Sequence, residues 1–376
     1  MFKVQDRRPS KAIKWQRVAG TDLIPMWVAD MDLATAPVVS QALAERTQHP
    51  VYGYTHPWPS LNQAVVNWCQ ARYQWAIEAD WILWQPGVVP SINMLLQSFT
   101  RGGRVLVQTP NYPPLLNCAR LRGCEPRYLE TLWLGDRWGW DWQLLTNELA
   151  HPDCQVMILC NPMNPQGELL GQADLARLAE LCAEHQVLLI SDEIHCDLIL
   201  DGQGHVPAGS LPLLQDRSIT LMAASKSFNV AGLGCSFAII PNPELRQQYR
   251  NSSQDLLPYP NLMGLLAAEA AFSAEGWQWL VQLQQFLRGN QQLVSQCIKQ
   301  LPGLDYQPRA ATFLAWITSE LPPGLLQQEF IKAGILTSPG QDFGQAQHAR
   351  LNFGTDRATL ERALALFSQH WLKHCC

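Results

Sequence analysis

Between about residues 83 and 240 five short apolar runs, RVLVQTP, QVMILCNP, VLLISDEI, SITLMAAS and SFAIIP, alternate with amphipathic segments. Most of these runs stop at Pro, Asn, Asp or Ser. An apolar run without polar alternation needs cover on both faces, which is the pattern of parallel strands buried in an α/β sheet. Between the second and third runs lies ADLARLAELCAEHQ, whose Leu175, Leu178 and Cys182 fall at helical spacing and predict a strand, helix, strand crossover. In an open parallel sheet ligands collect beyond the carboxyl ends of the strands. The polar residues closing the runs are therefore expected to converge: Tyr112, Asn161 and Asn164, Asp192 and His195, and Lys226.

The chain has 376 residues, enough for a large α/β domain with a smaller companion. After PYPNLMG (258 to 264) the texture changes to long helical stretches and a short α+β tail. The expected division is a large domain over 36–265 and a small domain from 1–35 with 266–376. With 27 basic against 32 acidic side chains and no block of like charge, nothing predicts a nucleic-acid partner. No apolar run approaches a bilayer span, and MFKVQDRRPSKAIKW lacks the apolar core of a secretory signal, so a cytoplasmic protein without a membrane partner is expected. The cysteines, 11 in number, form no CxxC pair and sit in apolar or helical stretches. They read as buried thiols of a reducing compartment, with no metal site expected.

Certain of these residues suggest chemistry. An amine at the mouth of an α/β sheet, as at Lys226 in ITLMAASKSFNVAGL, becomes a Schiff-base nucleophile once burial lowers its pKa. Asp192 closes a strongly apolar strand with a carboxylate that is costly to bury without a cationic partner, and a pyridinium nitrogen is one such partner. In WQPGVVPSINMLLQSF a glycine turn runs directly into a helix, so the amides of Gly87, Val88 and Val89 are candidates for holding a phosphate. CNPMNPQG braces Asn164 between prolines, and TPNYPPL offers Tyr112 for stacking on a ring. HARLNFG carries Arg350, a candidate clamp for a carboxylate.

In this order, these motifs resemble the pyridoxal-phosphate enzymes of the class I/II aminotransferase family over essentially the whole chain. PMWVADMD, YGYT, PGVVPS, TPNYPP, CNPMNP, SDEIHCDL and SKSFNVAGL look most like its cystathionine β-lyase, or carbon-sulfur lyase, branch. The resemblance implies an α/β, fold-type I enzyme, with a mainly parallel seven-stranded sheet in the large domain and a small α+β domain. It implies pyridoxal 5′-phosphate as cofactor, Lys226 as Schiff-base lysine and catalytic base, Asp192 on the pyridine nitrogen, Asn164 on the ring hydroxyl, Tyr112 stacked on the ring, and His195 close by. Phosphate contacts are implied for Val88, Val89 and Ser225, with Tyr54, in preference to Tyr52, reaching in from the partner of a homodimer. Arg350, with Asn164 and the Ala29 region, is implied to hold the substrate carboxylate.

The chain also departs from the wider family. His195 stands where many aminotransferases have a tyrosine, Gly234 where they have a phosphate-binding arginine, and Ala223 where serine is common. Met163 and Gln166 replace the usual His and Thr of the Asn-Pro motif. The expected reaction is β-elimination on cystathionine or cysteine, giving thiol or homocysteine, pyruvate and ammonia; transamination and a regulatory protein-binding role are the alternatives. No GxGxxG joins a strand to a helix, which argues against a nicotinamide enzyme.

Overall fold

The computed structural model describes residues 2, 5–254 and 256–375. Its main sheet has the spatial order Ile82–Gln85, Ser236–Ile239, Ser218–Met222, Leu188–Asp192, Cys154–Cys160, Arg104–Thr109, Glu125–Trp133, Trp138–Trp140. Arg104–Thr109, Glu125–Trp133, Cys154–Cys160, Leu188–Asp192 and Ser218–Met222 run parallel to their neighbours within this group. Ser236–Ile239 instead pairs antiparallel with both its neighbours, a correction to the reading of SFAIIP as a parallel strand. A parallel return requires a long crossover. Here the connection from Ser218–Met222 holds only the Lys226 loop and the short helical turn Ala231–Leu233. The eighth strand, Trp138–Trp140, is a hairpin return on Glu125–Trp133. Its three residues, WGW, are too few for a sequence pattern.

Alternation along the strands sends side chains to opposite faces. Val105, Val107, Val156, Ile158 and Ile190 pack with Ile92 and Leu95 of helix Val88–Phe99 and with Leu115 of helix Pro113–Leu121. Leu106, Met157, Leu159 and Leu189 pack with Leu145 of Trp142–Leu149 and with Leu175, Leu178 and Cys182 of the crossover helix Gln172–Glu184. Both faces being covered, the strands read as unbroken apolar runs, and their polar ends project past the helix layers.

A second, antiparallel sheet has the order Leu304–Asp305, Leu314–Ser319, His348–Asn352, Ser338–Pro339. The N-terminal arm joins the tail: Ile24–Pro25 pairs parallel with Ile335–Leu336, and the Asn352 amide nitrogen donates to the Asp30 carbonyl at 2.8 Å. A third core surrounds the long helix Ala274–Ile298, whose Leu280, Leu283, Leu287, Val294 and Ile298 are buried. Among the described residues no helix is long and apolar enough to cross a membrane.

Candidate active site

At the carboxyl ends of the parallel strands opens a cavity of about 430 Å³. It is lined by twelve residues singled out from the sequence: Ala29, Gly87, Val88, Val89, Tyr112, Asn164, Asp192, His195, Ser225, Lys226, Gly234 and Arg350. Asn161, expected to converge with them, does not line it. That side chain is fully buried, its Oδ1 accepting from the Leu170 amide at 3.1 Å, so it braces the turn that carries Asn164. Tyr54 and Tyr52 are exposed and also lie outside the cavity of their own chain; Tyr52 packs under the Arg46 guanidinium.

Lys226 follows the Ser218–Met222 strand, and its Nζ donates to the Ala29 carbonyl of the arm at 2.9 Å. Burial, and secondly the charge of Arg350, bring this amine down to about 8. Asp192 ends its strand and is 5% exposed. One oxygen accepts from the Ile194 amide at 3.1 Å, and burial raises the carboxyl to about 6 against that bond and the pull of Lys226. The two carboxylates after it are treated differently. Glu193 is fully buried and accepts from Ser191 and the Ala208 amide and pairs with His205 at 2.6 Å. Asp197 takes the Tyr73 hydroxyl at 2.6 Å and the Trp68 indole at 3.1 Å. Of the three acids in SDEIHCD, Asp192 is the one that lines the cavity.

His195 is 2% exposed, its Nδ1 has no partner, and burial lowers it to about 3, so the ring is neutral. Arg350 extends from the His348–Asn352 strand, donating to Asn164 Oδ1 at 2.9 Å and the Trp27 carbonyl at 2.8 Å while lying 4.5 Å over the Phe343 ring. Burial lowers it to about 10, which leaves it cationic at neutral pH. Its Nε has no protein partner. Helix Val88–Phe99 starts at Gly87 without a side-chain cap, and Gly87, Val88 and Val89 line the cavity; Ser225 Oγ donates to the Cys235 carbonyl at 3.2 Å.

Sequence reasoning missed Arg17, Trp27, Cys160, Ser338, Asp342 and Phe343, which also line the cavity. It missed Asn229 as well, whose amide bonds the Met31 and Leu33 carbonyls and the Met31 amide, tying the lysine loop to the arm. The signal for Asn229 was at hand, three residues after Lys226 in SKSFNVAGL, but its partners are nearly two hundred residues away. The sequence predicted no metal ligands; Glu329, His370 and Cys375 nevertheless bring ligand atoms within 4.8 Å of one another, with Glu329 already paired to Lys332 and His370.

The cavity offers an amine held near neutrality, an undercompensated carboxylate, a helix N-terminus and a buried guanidinium. A flat group with a cationic ring nitrogen and a phosphate fits this set of partners, because each of those groups lacks its complement within the protein. Known proteins point the same way. The chain is 35% identical to the cystathionine beta-lyase PatB of Bacillus subtilis (strain 168), covering 96% of this chain and 97% of that protein. It is 32% identical to protein MalY of Escherichia coli (strain K12), covering 96% of each. The crystal structure of the PLP-bound C-S lyase from Staphylococcus hominis superposes with a TM-score of 0.91 at 27% identity, covering 98% of this chain and 97% of that one. The pattern of aminotransferase class I and II matches residues 21–367. The chain therefore belongs to the class I and II aminotransferase family, whose members depend on pyridoxal phosphate.

Proposed function

We propose that this protein is a pyridoxal 5′-phosphate-dependent carbon-sulfur lyase that carries out β-elimination on sulfur amino acids of the cystathionine or cysteine type. The observation carrying this reading is Lys226, an amine held at about 8 in the cavity that Asp192 and Arg350 share. The similarity to PatB and to the S. hominis C-S lyase supports the choice of reaction.

In this reading Lys226 would hold the cofactor covalently, with Asp192 for its ring nitrogen, Asn164 for its ring hydroxyl, Tyr112 for its ring face and His195 close by. Val88, Val89 and Ser225 would take the phosphate, joined by one tyrosine from the partner in a homodimer, Tyr54 in preference to Tyr52. The exposure of both tyrosines on the single chain supports that role. When bound, the cofactor supplies an electron sink for charge developing at the substrate α-carbon. Arg350 grips the α-carboxylate, oriented by Asn164 and Trp27, and Ala29 borders the same space. The Lys226 amine, brought down to about 8, would take the α-proton as general base. Asp192, an anion above about pH 6, keeps its partner cationic. Loss of the thiolate from the β-carbon and hydrolysis of the eliminated fragment give pyruvate and ammonia.

The division into 36–265 and 1–35 with 266–376 is part of this reading, supported by the two sheets falling within 82–239 and 304–352. A cytoplasmic site of action is supported by the free thiols of Cys69, Cys118, Cys124, Cys154, Cys160, Cys182, Cys196, Cys235 and Cys297. Pyruvate release from L-cystathionine or L-cysteine, without an added keto acid, tests the reaction. Turnover only when a keto acid is supplied makes the enzyme an aminotransferase instead. A regulatory protein-binding role is distinguished by its survival in Lys226→Ala.

A further inference from the structure

Behind the wall of this cavity lies a second cleft of about 210 Å³, between the hairpin of Glu125–Trp133 with Trp138–Trp140 and the four-stranded sheet. Its walls are aromatic. The Trp316 and His348 rings stack at 4.7 Å and 5°, the Trp133 and Trp138 rings meet edge to face at 5.7 Å, and the Arg309 guanidinium lies 4.6 Å from the Trp133 ring. Trp133 is 43% exposed, and Asp305 and Gln307 form an exposed rim, so the cleft is reached from solvent.

Three nearly fully buried residues of this cleft, Gln166, Tyr306 (through its hydroxyl) and Trp316, have polar atoms without a partner. Gln166, 1% exposed, is anchored through Nε2 on Thr131 Oγ1 at 2.8 Å, leaving Oε1 unmatched. Trp316, 6% exposed, has an unmatched indole Nε1, and His348 Nδ1 is unmatched as well. Buried polar groups are rarely left so, because each gives up its hydrogen bonds to water with nothing in return. Its charges stand at the edge, the Asp305 carboxylate on the exposed rim and the Arg309 guanidinium against Trp133. Arg309 is offset by Glu168 at 3.4 Å, and burial lowers His348 to about 4, so its ring is neutral at physiological pH. In size the cleft exceeds the roughly 150 Å³ cavity that accepts benzene and falls below the roughly 300–1,000 Å³ of drug-sized sites.

We propose that this cleft is a second binding site, for an uncharged planar heteroaromatic molecule of one or two fused rings, with an N–H for Gln166 and a ring acceptor for Trp316. The indoles and the imidazole supply stacking faces, which add to the gain from burial alone. The assignment gives a role to the Trp-dense segment around Trp133 and to Gln166, the departure within the Asn-Pro motif. It also links the cleft to the active site. Trp316 is the strand partner of Arg350 and touches Phe343 edge-on at 5.5 Å, and Phe343 lies beneath the Arg350 guanidinium.

Benzimidazole at pH 8, where it is neutral, is the probe, titrated into the full cofactor-loaded protein by calorimetry and ligand-observed NMR. The expected result is one saturable site per chain, weakened at least tenfold in Trp133→Ala, which removes a stacking wall, and in Thr318→Trp, which fills the cleft. 1-Methylbenzimidazole, lacking the N–H, should bind about tenfold more weakly. Circular dichroism identifies which variant is folded, and one folded variant decides the matter. The proposal is overturned by an absence of saturable binding, as for a cleft that holds only water, by unchanged affinity in a folded variant, or by strict competition with the amino-acid substrate, which would put the probe in the catalytic cavity.

Discussion

Two buried lysines reach the same short stretch of the N-terminal arm and are treated in opposite ways. Lys14 is fully buried, and its Nζ sits 2.6 Å from Asp32 Oδ2 and 3.0 Å from the Asp30 carbonyl. Arg7 pairs with Asp30 and Asp32, and the Trp15 indole donates to Asp32, so every charge in that cluster has a partner. Lys226 bonds the neutral Ala29 carbonyl and, among the described residues, makes no salt bridge. Burial lowers both amines, but only Lys14 has an anion against it. A lysine that serves the fold has its charge compensated; one poised for chemistry is left short of a counter-ion, at a cost in stability.

Substitutions can break this contrast. Lys226→Ala should give the largest effect, lowering pyruvate release from L-cystathionine by about 10⁴-fold or more, with no fall in the melting temperature of the cofactor-free chain. Retained turnover would remove Lys226 from the chemistry. Lys14→Met should do the reverse, costing about 2 kcal/mol in urea unfolding because it leaves Asp32 Oδ2 without its cation while Arg7 and the Trp15 indole still hold Oδ1, and raising KM more than it lowers kcat as the arm loosens. Arg350→Lys should reduce kcat/KM by about 10²-fold, mostly through KM, since a point charge replaces a planar fork held by Asn164 and Trp27.

Smaller effects sharpen the comparison through pH. Lys226 falls from 10.5 to about 8 on folding, so between those values the unfolded chain binds more protons. Cofactor-free stability should therefore rise across pH 8 to 10.5, and Lys226→Ala should flatten that slope in urea titrations. Asp192 has the opposite sign. Its carboxyl rises from 3.8 to about 6, so the folded chain binds more protons in that window and loses stability as pH climbs through it. Asp192→Asn should consequently stabilise the cofactor-free chain at pH 8 by about 2 kcal/mol while abolishing activity. A destabilised Asp192→Asn would mean that the carboxylate is better compensated than its single amide bond suggests.

The legible parts of the site were those in which residue type and strand position coincide. Asp192, Asn164 and Lys226 each follow a buried apolar run, and a polar residue there must emerge at the strand's end whatever the rest of the chain does. Arg350 was legible by type, although its setting depends on Trp27 and Phe343 from other segments. Asn161 misled because its position at a strand end is the same as that of a site residue, and only its bond to the Leu170 amide turns it inward. The reversed Ser236–Ile239 strand escaped because an apolar run carries no direction; the short connection before it decides that.

By itself the sequence determined which strands are buried on both faces, which polar groups those strands deliver to one edge, and the chemistry such groups support. These are local properties, set by side-chain type and the two-residue repeat of a strand. Only the tertiary structure decided that Lys14 is compensated and Lys226 is not, that Glu193 is satisfied where Asp192 is exposed to the cavity, and that three tryptophans and Gln166 enclose a second cleft. Those outcomes depend on desolvation and on partners contributed by distant segments, and no window of sequence contains both members of such a contact.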